Sequence, residues 1–575
     1  MNKISLTLIV LSLAFIFNSC GGNSEKENTS NTNGNKVVLN AFDKKFKQAR
    51  EKAKDFIRQT IENTIPEDRI HINDIPLYSS VKIPEFYVNQ AFSANWIPHA
   101  DSLKLVMDMM QFIEDIRYHG LNPIDYHYDT LSSYLNEIKA NKNKLLEPHF
   151  LAHFDILLSD AFFMMASHLY HGKVNPENLT AEWGIQRNKP ALMLDEKLEM
   201  LHQSRNLFQF MSTFYPPHPG YIKMVEYAKT ISTIHEETPV VQIPTNRLTL
   251  HVLEDTIYNE LLIQRLAYLG YATTNELNYA DSLRELTQAI KRLQYHHGLN
   301  EDGAIGRNTY NALIRSPEDK LKKLYVNMER LRWMPDSLET YYILVNIADY
   351  TLDYMKGYDT LLHMRTVVGK EYRQTPVFHG TMTYLVLSPT WTVPPGILRA
   401  DVLPAVAKNV NYLAQKNMIV LDNAGNRIDP SSIDWQKARK GSFPYRIRQQ
   451  PGAQNALGRV KFMFPNKYNV YLHDTPSREL FGRDSRSFSS GCIRIEKPYE
   501  LTKLLLEQDE RWNSDKIKQA MSSEKEQSVI LKNRVGVYIY YLTAWSLANG
   551  DIHFRDDIYQ RDDEVWKSLQ KSKTY

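Results

Sequence analysis

The stretch YLHDTPSRELFGRDSRSFSSGCIRIE, Tyr471 to Glu496, holds one histidine, His473, and one cysteine, Cys492. The 575-residue chain has only one other cysteine, Cys20. An isolated thiol, with a pKa of ~8.5, is mostly protonated at neutral pH and a weak nucleophile. An imidazole in contact can accept its proton and leave a thiolate–imidazolium pair, the nucleophilic species. Gly491 lets the backbone turn sharply before the thiol and lets a substrate come close. Backbone N–H groups of the Ser490–Gly491 turn could then form an oxyanion hole. Arg483, Arg486, Arg494 and Lys497 make the neighbourhood electropositive, which favours the thiolate. The inventory fits a cysteine–histidine acyltransferase or hydrolase. Taken alone, the pair fits a small buried hydrophobe beside a surface histidine better.

Two strands have to position these groups. In NVYLHD, strand alternation puts Tyr471 and His473 on one face. In GCIRIE it puts Cys492, Arg494 and Glu496 on one face, with Ile493 and Ile495 turned into a core. If the strands are neighbours, His473 faces Cys492 and Arg494.

The rest of the chain must supply the frame. At this length three or four domains are expected. A net charge of +3, with 23% charged residues, shows no concentrated basic stripe and argues against a nucleic-acid binder. Residues 1–19 read as a secretory signal peptide: Lys3, then the mostly apolar Ile4–Phe17, then Asn18-Ser19-Cys20. The run is too short for a comfortable membrane span. Ser19-Cys20 resembles a lipobox, which makes Cys20 the lipidated N-terminus of an exported, membrane-anchored protein. Residues 20–39 read as a flexible polar tether. Cys492 is then the only free thiol, which flags a reactive one. Residues 40–250 read as mainly helical, with stops at Gly120 and Pro123 and at Gly172 and Pro176. Residues 255–316 read as a small three-helix module, with Gly270 and Gly298 ending helices and Asp302-Gly303 in a tight turn. Residues 325–510 are strand-rich, interrupted at 398–450 by a helical and irregular insertion. Residues 511–575 add a helix, with Val535–Tyr559 read as a hairpin about Asn549-Gly550. The fold class is α+β. No His-Glu-x-x-His and no cysteine pair is present, so neither a metal nor a cofactor is expected.

The text around the pair changes the weighing. YLHDTP followed by RSFSSGCIRIEKPYELTKLLL resembles the active-site segment of the L,D-transpeptidases, which have a YkuD-type catalytic sandwich. TVVGKEYRQTPVFHGTMTYLVLSPTWTVPPGI and RQQPGAQNALGRVKFMFPNKYNVYLHDTP resemble the large Gram-negative members. The 262–313 skeleton resembles the type 1 peptidoglycan-binding domain. The resemblance implies a helical scaffold domain (40–250), a peptidoglycan-binding module (255–316) and a catalytic domain (325–510) with a capping insertion (398–450). It implies Cys492 as nucleophile and His473 as proton donor and acceptor, with Tyr471 and Arg494 on the substrate side. Arg494 would meet a stem-peptide carboxylate, or else pair structurally with Glu496 or Asp484. Many relatives have histidine where this chain has Ser490, and there the group orients the catalytic histidine partly through its carbonyl. The implied reaction is attack on a tetrapeptide stem, release of D-alanine, and transfer of the thioester to an amine of another stem, giving a 3→3 cross-link in cell-wall biogenesis and the maintenance of cell shape. An L,D-carboxypeptidase, or attachment of another amine to peptidoglycan, uses the same residues. A catalytically decayed wall-binding lipoprotein is the alternative outside enzymes. The expected partners are peptidoglycan stems and, through Cys20, a membrane; the expected location is the periplasm.

Overall fold

The computed structural model describes residues 40–63, 69–237, 256–272, 282–547 and 549–571. The signal segment, Cys20 and the tether lie outside the described residues.

The N-terminal region forms around one helix, Pro148–His171, apolar on nearly every side. Such a helix has to be enclosed. Among the described residues it is the one helix long and apolar enough to cross a membrane, and its apolar window is 94% buried in the protein. The helices Ala41–Glu62, Lys104–Asp115 and Leu194–Ser204 turn apolar stripes into the same core. The buried Asp155 carboxylate of the central helix is satisfied: it accepts from Tyr87 Oη at 2.7 Å and from the Trp96 amide at 2.9 Å.

Three helices, Thr256–Tyr268, Ser282–His296 and Arg307–Ile314, make the next unit around Leu262, Leu266, Ile290, Leu293 and Leu313. Gly303 takes φ +75° in the turn read from Asp302-Gly303. Gln294 pins that turn: its Oε1 accepts from the Gly303 amide at 2.8 Å, and its Nε2 donates to Asp302 Oδ1 at 2.8 Å. A helix at Pro317–Arg332 follows, started by a Ser316–Asp319 capping box. It carries a fully buried ion pair, Arg332 to Glu329 at 2.6 Å.

β-Branched and aromatic runs then build a ten-stranded sheet in which 460–463, 472–473, 493–495, 359–369, 351–356, 341–346, 527–540 and 377–387 follow in order, with Trp183–Gly184 of the N-terminal region beside 377–387 and Ser487–Ser489 beside 359–369. Strand 377–387 also pairs with 460–463, Leu387 opposite Val460, so the sheet closes on itself. Its interior holds Val460, Phe462, Leu472, Ile493, Ile495 and Leu501, none exposed. The chain is thus mixed α+β, a helical N-terminal region followed by a sheet-rich C-terminal one.

Two expectations need correction. The insertion is not irregular after its helices. Strands Met418–Leu421, Arg427–Ile428 and Arg446–Gln449 join Trp391–Thr392 in a four-stranded sheet over a separate core that includes Val406, Val420, Trp435 and Ile447. These strands are two to four residues long and carry arginines at exposed positions, so their period is hard to see. The hairpin read over Val535–Tyr559 is really two elements. Gln527–Tyr540 is a 14-residue strand inside the closed sheet, parallel to Tyr341–Asn346. Only Ala544–Ser546 and Ile552–Phe554 form the hairpin.

Candidate active site

The strand Leu472–His473 lies between two others. On one side it runs antiparallel to Val460–Met463, with His473 opposite Lys461. On the other it runs parallel to Ile493–Ile495, with His473 opposite Arg494. Lys461, His473 and Arg494 therefore form a row across three strands. One step along, the Ile493 amide donates to the Tyr471 carbonyl at 3.1 Å, which sets Tyr471 beside Cys492. Leu472, Ile493 and Ile495 face the core, as period two requires.

Each group of this face has a traceable environment. The His473 Nδ1 lies 2.6 Å from the Asp474 carbonyl. A carbonyl only accepts, so Nδ1 carries the hydrogen and Nε2 holds the free lone pair. Asp474 is itself fixed: its Oδ2 accepts from the Arg459 amide at 2.8 Å and its own amide donates to the Val460 carbonyl at 3.0 Å. Burial, with Arg494 and Lys461 alongside, pulls the imidazole down to about 3. Burial pushes the Cys492 thiol up, against the opposing pull of Tyr471, Lys461 and Arg494. The Cys492 Sγ lies 3.8 Å from the Asn469 carbonyl. Burial, then the neighbouring thiol, raises the Tyr471 phenol, and the Trp391 side chain at the root of the insertion opposes this. The Lys461 ammonium sits 3.9 Å over the Tyr471 ring, a cation–π contact.

The turn before the thiol is braced from behind. Gly491 has φ +111°, which disfavours any side chain there. Its carbonyl accepts from Thr375 Oγ1 at 2.9 Å. Its amide donates to Ser489 Oγ at 3.1 Å, so that N–H, expected in an oxyanion hole, is already engaged. Ser489 Oγ donates in turn to the Cys492 carbonyl at 2.5 Å. Tyr559, from the C-terminal tail, accepts from the Thr375 amide at 3.2 Å and donates to the Gly369 carbonyl at 2.6 Å.

Ser490 does not orient the imidazole, whose Nδ1 partner is the Asp474 carbonyl; the exposed Ser490 hydroxyl accepts instead from Arg373 at 2.9 Å. Arg494 pairs with neither Glu496 nor Asp484. Glu496 is taken by Arg365, and the buried Arg494 Nε has no hydrogen-bond partner. Arg486 donates to the Thr366 and Arg483 carbonyls and Lys497 to the His363 carbonyl, so both serve the frame. The sequence reading missed Lys461. Alternation in VKFM puts it opposite Val460 and Phe462, and only the strand order brings it beside His473. Among the described residues no group of three His, Cys, Asp or Glu side chains could hold a metal ion.

Residues 340–515 match the L,D-transpeptidase catalytic domain family. The chain carries an L,D-transpeptidase catalytic domain. Ahead of it, residues 81–227 match the scaffold domain family and residues 260–313 the "Putative peptidoglycan binding domain" family. A Haemophilus influenzae protein named "Putative L,D-transpeptidase" is 39% identical over 244 residues, covering 42% of this chain and 49% of that one. The matched region thus spans about half the length of that relative. Among solved structures, an L,D-transpeptidase from Mycobacterium smegmatis is 14% identical, with a TM-score of 0.17 over 34% of this chain and 58% of that one. L,D-transpeptidase 1 of Mycobacterium tuberculosis is 12% identical, with a TM-score of 0.15 over 36% and 65%. The row of Lys461, His473 and Arg494 and the Cys492 turn all fall inside the matched transpeptidase domain.

Proposed function

We propose that the protein forms 3→3 cross-links in peptidoglycan, with Cys492 as nucleophile and His473 as the proton carrier. The observation that carries this is the common face of Cys492, Tyr471 and His473, with His473 Nε2 left free by the Asp474 carbonyl. The Cys492 sulfur attacks the carbonyl of the third stem residue as its proton passes to His473 Nε2. The C–N bond breaks, His473 returns the proton to the leaving amine, and D-alanine departs. The resulting thioester is attacked by an amine of a second stem. That amine loses its proton to His473, and the sulfur leaves and is reprotonated. Because the imidazole is neutral and the thiol protonated at rest, proton transfer and S–C bond formation are coupled, with no standing ion pair. The Cys492 amide is the oxyanion donor that fits best, since the Gly491 amide is engaged. The insertion rooted at Trp391 would exclude water and favour aminolysis over hydrolysis. A lipid on Cys20 would tether the chain in the periplasm.

The test is incubation with disaccharide-tetrapeptide and mass spectrometry of the products. A dimer lacking one D-alanine is expected, and Cys492→Ala should abolish it. Tripeptide alone would replace this reading with an L,D-carboxypeptidase; product from Cys492→Ala would end it.

A further inference from the structure

Two cations beside the nucleophile have no acid to answer them. Lys461 and Arg494 flank His473 from neighbouring strands. Among the described residues neither forms a salt bridge, and the Arg494 Nε is buried with no partner. Glu526 accepts from the Thr390 amide and hydroxyl, and Glu479 stands exposed on the surface, so each exerts only a distant pull on this pair. Partly buried cations on either side of one imidazole are costly unless an anion joins them. The thiolate is a transient anion, and it belongs to the neighbouring row.

We propose that Lys461 and Arg494 form a subsite for the free C-terminal carboxylate of the donor stem. This rests on the transpeptidase reading and assigns its choice of bond. The guanidinium fork binds a carboxylate through paired donors, and the ammonium adds a compact charge. Arg494 lies two residues from Cys492, about 6.6 Å along a strand. In a peptide, one amide nitrogen and one Cα separate a scissile carbonyl carbon from the next carboxylate carbon, roughly 4 Å in all. A carboxylate held by this pair therefore leaves the preceding carbonyl at the thiol. The site counts one residue from the end of the stem. Burial is the main reason that His473 resists protonation, and a bound carboxylate offsets only the smaller opposition of the two cations beside it.

The experiment uses the full chain carrying Cys492→Ala, which cannot turn over, and measures calorimetric binding of a tetrapeptide stem, its C-terminal amide, and a stem amidated on the third residue. The C-terminal amide should bind at least about tenfold more weakly than the acid. Lys461→Met should shrink the difference, with Arg494 still in place, and Lys461→Arg should restore it. A merely structural Lys461 would weaken both ligands alike and leave their ratio unchanged, which would overturn the proposal. So would a loss of binding that follows amidation of the third residue and not of the terminus. Release of D-alanine by the Cys492 enzyme is measured separately. Its absence would sink the transpeptidase reading, whereas an unchanged acid-to-amide ratio beside normal release sinks only the subsite.

Discussion

The resting state of the Cys492–His473 pair gives a prediction that separates this site from a standing thiolate–imidazolium pair. His473 is held down to about 3 by burial and by Arg494 and Lys461. Burial raises Cys492 above its ordinary value, which is ~8.5. The thiol therefore holds its proton far more tightly than the imidazole would, and moving the proton from sulfur to nitrogen is uphill in the free enzyme. The ion pair is therefore a negligible fraction of the resting protein. The assay is the rate of iodoacetamide modification of Cys492 against pH, in the Cys20→Ala chain where it is the only thiol. The logarithm of the rate should climb with unit slope from about pH 5 to beyond ~8.5, with no acid plateau. His473→Ala should abolish transpeptidation yet change this alkylation by less than about twofold, since the imidazole does not hold the thiol proton. A flat rate between pH 5 and 7, or a tenfold fall in alkylation on losing His473, would refute the reasoning. Both outcomes would mean that the imidazolium persists beside two cations, and the charge reading of the row Lys461, His473 and Arg494 would fall with it.

Two further outcomes follow from the packing. Tyr559→Phe leaves the Gly369 carbonyl and the Thr375 amide without the hydroxyl that joins them; stability should fall by about 1–3 kcal/mol in denaturant titration, and kcat by roughly tenfold with KM unchanged. Thr375→Ser, which keeps the hydroxyl on the Gly491 carbonyl, should retain kcat, and Thr375→Val should not. Arg332→Met strands the fully buried Glu329 carboxylate, at a cost of about 3–5 kcal/mol that adding Glu329→Gln should partly recover.

How much of this was legible depends on the range of the interaction. Period two in GCIRIE needs only local backbone geometry, and it placed Ile493 and Ile495 in the core. Positive φ at Gly270, Gly298 and Gly303 was readable because glycine takes such conformations cheaply. The Nδ1 partner of His473 was not readable. Asp474 is adjacent in sequence, but the bond to its carbonyl depends on how the strand ends. Lys461 stayed hidden for another reason. A lysine alternating with Val460 and Phe462 looks like any solvated strand position until Leu472–His473 is known to lie beside it. Gln527–Tyr540 was misassigned because Val535–Tyr540 runs straight into the real hairpin, and no glycine or proline marks the break at Tyr541–Thr543.

The C-terminal 50 residues explain why these parts form one machine and not a string of modules. Gln527–Tyr540 completes the closed sheet. The hairpin after it receives the Ser282–His296 helix of the three-helix unit, through His296 Nδ1 on the Ile552 carbonyl and Tyr295 on Asp551. Tyr559 braces Gly369 and Thr375, and Thr375 holds the Gly491 carbonyl behind the thiol. The last helix, Asp562–Gln570, then buries Val565 and Leu569 in the scaffold core. One short segment touches the scaffold, the three-helix unit and the back of the nucleophile turn in succession. The scaffold also meets the sheet directly, where Trp183–Gly184 pairs with Val377–Phe378, and Tyr559 is the point at which the C-terminal segment braces the Cys492 turn.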